Sequence, residues 1–164
     1  MLSDAQRREL IDNIVRAQRE LDILMFDEIM TGLPNPAATE QQVADYQRAC
    51  GFSIPPSFRA FLLLHNGWPD FLGDAAILGT DWRKKVWTED ALEALEAPFE
   101  EFGQDDPIAG GAVPILLGED AFVSLFLWPP DLDPPGPRFR EYQYSEKIME
   151  HADFDAFLQS SLDS

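Results

Sequence analysis

Residues 51–68 read GFSIPPSFRAFLLLHNGW, and their punctuation decides most of the fold. Pro55 or Pro56 suits the first turn of a helix, where a missing amide costs nothing. Phe58, Phe61, Leu62 and His65 then recur at three- and four-residue spacing along one face, and Asn66-Gly67 stops the helix. Phe58, Phe61 and Leu62 make that face strongly apolar, so it is expected to pack on a sheet.

Upstream, Thr39 with Gln42 forms a capping box, Val43, Tyr46 and Cys50 share a face, and Gly51 suits the left-handed turn after a helix end, which predicts a helix over residues 40–50. Asn35 stands between Pro34 and Pro36, so residues 32–36 are expected to be a linker. Before it, Ser3 with Gln6 opens another capping box. Leu10, Ile11, Ile14, Val15, Leu21, Leu24, Met25 and Ile29 follow at near-helical spacing, predicting one long helix over 4–30 or two with a break.

Downstream the pattern changes. Residues 75–78, 113–117 and 121–127 are short apolar runs bounded by Gly, Asp and Pro, as strands are. Residues 122–127 are apolar on nearly both faces and belong mid-sheet under helices, whereas 138–144 reads as a strand nearer an edge. A helix over 88–97 interrupts the strands, WPPDLDPPGP over 128–137 reads as a stiff loop, and 153–162 closes the chain as a helix with Phe154, Phe157 and Leu158 inward. N-terminal helices, a mostly antiparallel sheet with flanking helices and a C-terminal helix make an α+β fold. The expected organisation is one domain over 1–164, with an extra helical segment at 1–33 and a core at 39–162.

The helix that opens with Ile54-Pro55, carries Phe58, Phe61 and Leu62, and closes with Asn66-Gly67 resembles the hallmark of the SUKH superfamily, the Smi/Knr-like domain. The likeness continues less sharply through Val113-Pro114-Ile115, through Gly118-Glu119-Asp120 and the run after it, and through the closing DFDAFL of residues 153–158. Trp68 stands where that family often has another glycine, and the helix before Gly32 lies outside its usual core. The resemblance implies a non-enzymatic protein. Members are predominantly bacterial immunity proteins that bind and neutralise a polymorphic toxin delivered between cells, while fungal relatives are regulatory scaffolds.

Charge adds a separate line of argument. Twelve Lys and Arg against 30 Asp and Glu leave a formal charge of −18. Between residues 86 and 137 there is no Lys or Arg, while Glu89, Asp90, Glu93, Glu96, Glu100, Glu101, Asp105, Asp106, Glu119, Asp120, Asp131 and Asp133 are all acidic. Such a field repels phosphate and draws in basic surfaces, so nucleic acid is disfavoured as a partner. The acidity is not that of a disordered chain, because 45% of residues are hydrophobic. One cysteine forms no internal disulfide, MLSDAQRREL lacks the pattern of a secretory signal, and no run approaches the roughly 20 apolar residues of a membrane span, so a cytoplasmic, non-membrane protein is expected.

No catalytic constellation emerges. His65 reads as a packed or capping residue, His151 as a solvated turn residue, and neither has a second ligand at helical spacing, so no metal or cofactor is expected. Cys50 behaves as a small hydrophobe, and Ala109-Gly110-Gly111 precedes a strand, as a turn. Asp105-Asp106 and Glu119-Asp120 read first as solvated surface. A metal-assisted hydrolase built on them is the remaining enzymatic option.

The acidic stretch either keeps the chain soluble or meets a partner. Aromatic rings among the acids favour a partner, since interfaces set buried aromatic anchors inside a polar rim. The candidate partner-binding residues are Trp68, Asp70, Trp82, Trp87, Glu89, Asp90, Glu93, Glu100, Glu101, Asp105 and Asp106. Trp68 is expected in a loop after the helix stop, partly exposed and able to stack on an arginine, or alternatively covering the helix end. The leading expectation is an immunity protein for a basic cognate toxin, with a nuclease as the natural example and a deaminase or nucleotide-modifying toxin equally compatible with the fold. A regulatory scaffold or interaction module is the alternative.

Overall fold

The computed structural model describes residues 1–132 and 135–163. Asp133, and with it part of the proline-rich loop, lies outside them. Helix α1 spans Asp4–Phe26, α2 Glu40–Cys50 and α3 Pro56–Leu64. Strands β1 (Trp68–Leu72) and β2 (Ala75–Ile77) follow, then a 3-10 turn at Trp82–Lys84 and helix α4 (Val86–Glu101). Strands β3 (Val113–Leu117), β4 (Val123–Leu127), β5 (Phe139–Gln143) and β6 (Glu146–His151) lead to α5 (Phe154–Leu162). The six strands form one antiparallel sheet in sequence order, β1 to β6, and the fold is α+β.

Local chemistry sets the helix starts as expected. The Ser3 hydroxyl accepts the Gln6 amide at 3.2 Å while Gln6 accepts the Ser3 amide at 2.9 Å, and Thr39 and Gln42 repeat the exchange. In α3, Pro55 caps and Pro56 opens the helix. The Asn66-Gly67 stop does more than end it. Asn66 Oδ1 accepts the Thr80 amide at 2.7 Å, and Gly67, at φ 91°, lies so close to the end of β2 that a Cβ would come within 2.8 Å of Ile77 O and Gly79 N. The motif welds α3 to the sheet.

Helices cover both faces. Phe58, Phe61 and Leu62 of α3, Leu10, Ile11 and Ile14 of α1, Val43 and Tyr46 of α2 and Phe154, Phe157 and Leu158 of α5 pack with Leu125, Leu127 and Phe139 on one side. Leu95 and Phe99 of α4 pack with Phe126, Tyr142, Ala112 and Ala121 on the other. Strand β4, apolar on both faces, is thus sandwiched as expected. A buried ion pair joins the chain's first and last helices: Arg7 Nε donates to Asp155 Oδ1 at 2.8 Å and Arg7 Nη2 to Oδ2 at 3.0 Å, with Arg7 1% exposed.

Three expectations are corrected. Helix α1 stops at Phe26, because Asp27 turns left-handed (φ 54°) and the Asp22 carboxylate takes the Met30 and Thr31 amides. Its apolar spacing also overstates burial, since Leu21, Leu24, Met25 and Ile29 are exposed. The strand at β5 does lie nearer an edge than β4, and β6 forms the edge itself. His151 is therefore no solvated turn residue: it ends β6, 4% exposed, with Nε2 at 2.9 Å from Glu141 Oε1 and its ring edge-on to Phe157. Helix α4 outruns residues 88–97 at both ends and retains Pro98.

Candidate functional site

Helix α4 is built for two environments. Thr88, Ala91, Leu95 and Phe99, spaced three and four apart, are buried, while Glu89, Asp90, Glu93, Glu96, Glu100 and Glu101 are exposed. At about 100° per residue these six carboxylates share the outward arc. The sequence-predicted Glu89, Asp90, Glu93, Glu100 and Glu101 are therefore gathered on one face, with Glu96 among them. Asp105 continues the acidic surface beyond the helix end, exposed, and Asp106 is half-buried, its Oδ1 accepting the Ala109 amide at 2.9 Å to hold the turn before β3.

These charges have no ion-pair partner among the described residues. Ion pairs among the described residues join Arg7 to Asp4 and Asp155, Arg48 to Asp45, Arg59 to Glu40, Arg140 and Lys147 to Glu150, and His151 to Glu141. None uses a carboxylate of α4. Glu89 with Glu93, and Glu96 with Glu100, stand four apart as like charges, each pair costing about 0.2–0.5 kcal/mol. Glu100 and Glu101 occupy the last turn, which has no basic residue, at the end of the helix dipole that favours cations.

The aromatic candidates divide. Trp68 is fully buried and is no exposed anchor. Gly67 turns the chain so that Trp68 opens β1 facing the core, its ring T-shaped against Phe71 at 4.8 Å and its indole N–H donating to Gly32 O at 2.8 Å. Trp82, 9% exposed, lies under the Arg83 guanidinium at 4.4 Å. Trp87 is half-buried and lines a small cleft of about 90 Å³ with Pro69, Trp82 and Lys85. Trp82 and Trp87 thus flank the start of α4, next to Lys84 and Lys85 rather than within the acidic face.

Asp70 stands apart from α4. It lines a groove with Asp22, Asp74 and Phe71 between α1 and the β1–β2 hairpin. Sequence reasoning missed this groove because it forms only where α1 meets the β1–β2 hairpin, a long-range contact that local spacing does not reveal.

Other sequence candidates for chemistry stay apart. Cys50 is half-buried beside Tyr46, and burial pushes its thiol pKa up, away from a reactive thiolate. Glu119 and Asp120 are exposed in the β3–β4 turn, where Asp120 accepts the Phe122 amide. Among the described residues no three His, Cys, Asp or Glu side chains converge as a metal site, and no helix is long and apolar enough to cross a membrane. What the arrangement offers is a continuous acidic face along one helix.

A model of the SMI1 / KNR4 family (SUKH-1) matches residues 37–160, so the chain belongs to that family. No curated protein sequence matches it. The family match takes in α2 through most of α5 and leaves α1 outside.

Proposed function

We propose that this SUKH-1 family member is an immunity protein that neutralises a cognate toxin by lodging the acidic face of α4 against a basic surface of that toxin. A toxin-immunity role is consistent with the family, and the finer reading is carried by one observation: the α4 carboxylates are exposed, aligned and unpaired. Repulsion between them and their place at the wrong end of the helix dipole lower the stability of the free protein. A cationic partner would relieve both costs on binding.

A toxin that acts on nucleic acid or nucleotides supplies such a partner, because its cleft must be basic to hold phosphate. The carboxylates of α4 would occupy that cleft in place of phosphate, and long-range attraction would speed the encounter. Non-covalent occlusion needs no catalytic group, metal or cofactor from this chain. Trp82 and Trp87 stand at the margin of the contact, where Arg83, Lys84 and Lys85 would set its limit by repelling a basic partner.

The test begins with a toxic domain encoded beside this gene. Cells producing that domain are complemented with wild type or with the variant Glu89→Gln, Glu93→Gln, Glu96→Gln, Glu100→Gln. Loss of protection by a variant that melts normally supports the reading. Full protection by the same variant removes α4 from the contact, and a neighbouring gene with no toxic product returns the chain to a scaffold role.

A further inference from the structure

A second surface lies at the β1 edge of the sheet, where α1, outside the matched family region, meets the β1–β2 hairpin within it. Residues 21–33 read LDILMFDEIMTGL. Leu21, Leu24, Met25, Phe26, Ile29 and Met30 are each between 44% and 83% exposed. Soluble monomers rarely leave so contiguous an apolar patch uncovered, and methionine is over-used where a surface must adapt to a partner.

The patch borders a groove of about 470 Å³, walled by Leu21, Phe26, Met30, Phe71 and Leu72. Its polar lining is Gln18, Asp22, Thr31, Asp70 and Asp74, with no Lys or Arg. The walls are fixed in advance. Asp22 Oδ2 accepts the Met30 amide at 3.0 Å, the Thr31 amide at 2.7 Å and the Thr31 hydroxyl at 2.6 Å, while Gln18 Nε2 donates to Phe71 O. A preformed groove loses little ordering entropy on binding.

We propose that this groove docks an amphipathic helical segment of a partner protein, its apolar side chains seated on Leu21, Phe26, Met30 and Leu72 and its flanking Lys or Arg paired with Asp70 and Asp74. Charge selects this occupant. A second copy related by a two-fold axis would bring the carboxylates of both grooves into one interface, with no Lys or Arg in either lining to pair them, in a chain already at −18. A small molecule would fill the groove yet leave Leu24, Met25 and Ile29 bare, whereas a helix laid along α1 covers both. The inference is independent of the α4 contact.

The test uses the full chain and two fluorescent peptides of Leu and Lys with identical composition, one with leucines at three- and four-residue spacing and one scrambled. Wild type is expected to bind the amphipathic peptide about tenfold more tightly than the scrambled one. Leu21→Gln with Phe26→Gln should erase that preference, and Glu93→Gln with Glu100→Gln should leave it intact. Should the first pair lower the melting temperature, Leu24→Gln with Met25→Gln, both fully on the surface patch, gives the same reading. Equal binding of the two peptides by wild type, or a preference that survives these groove and patch variants, overturns the proposal. So does a wild-type dimer in sedimentation that the apolar variants split, which would give the groove to a second copy.

Discussion

At the scale of single residues, Trp68 shows how one hydrogen bond changes a role. Its indole N–H reaches back to Gly32 and ties the linker before α2 to the first strand. Trp68→Ala is therefore expected to lower the melting temperature sharply, by about 3–5 kcal/mol of stability, while the folded fraction keeps its affinity for the proposed toxin partner; normal melting with lost affinity would contradict this assignment. Phe61, with no exposed surface, should cost a similar amount as Phe61→Ala, measured by denaturant unfolding. Asp22 is sensitive to pH. The Thr31 hydroxyl, followed by the Thr31 and Met30 amides, holds its carboxyl below the usual range despite opposing desolvation. A lowered folded-state pKa gives stability that is present above the unfolded value of about 3.9 and lost as pH falls through the folded one. Hydrogen exchange at the Thr31 amide should accelerate across that acid window, and Asp22→Asn should weaken the dependence.

At the scale of elements, α4 trades stability for charge. Glu100→Lys removes the Glu96 repulsion and places a cation at the favourable helix end, so it should raise stability by about 0.3–1 kcal/mol in thermal unfolding while slowing association with the proposed toxin partner. A variant less stable than wild type would contradict the helix electrostatics. Helices were largely legible in the sequence because their boundaries are local: Ser3 and Gln6, Thr39 and Gln42, and Pro55-Pro56 all act within one turn. Strands β1 and β6 were not. WPDFL contains a proline, which strands tolerate chiefly at an edge, at their start or at a bulge, and EKIMEH has five exposed residues, so each depends on a neighbour that local pattern does not reveal. The site split along the same line. The outward acids of α4 follow from helical spacing, but the burial of Trp68 depends on how Gly67 aims β1, and the bareness of Leu24 and Met25 depends on nothing lying over them.

At the scale of the whole molecule, a charge of −18 sets opposing responses to salt. Raising ionic strength from 0.01 to 0.1 M shortens the Debye length from about 30 to about 10 Å. The free protein should then melt at a higher temperature as self-repulsion is screened, while association with the proposed toxin partner slows; indifference of both to salt would refute the electrostatic account. The Arg7–Asp155 pair links residues 148 positions apart in sequence, whereas most strand pairings join immediate neighbours in the chain. Closing so long a loop forfeits much chain entropy, so the contact should form after the rate-limiting step of folding. Arg7→Met would then leave the refolding rate nearly unchanged and place its whole effect, about 3–5 kcal/mol from a buried carboxylate left with the Leu2 amide but no countercharge, on faster unfolding. The joint between the first and last helices would govern how long a molecule stays folded, with little bearing on how quickly it gets there.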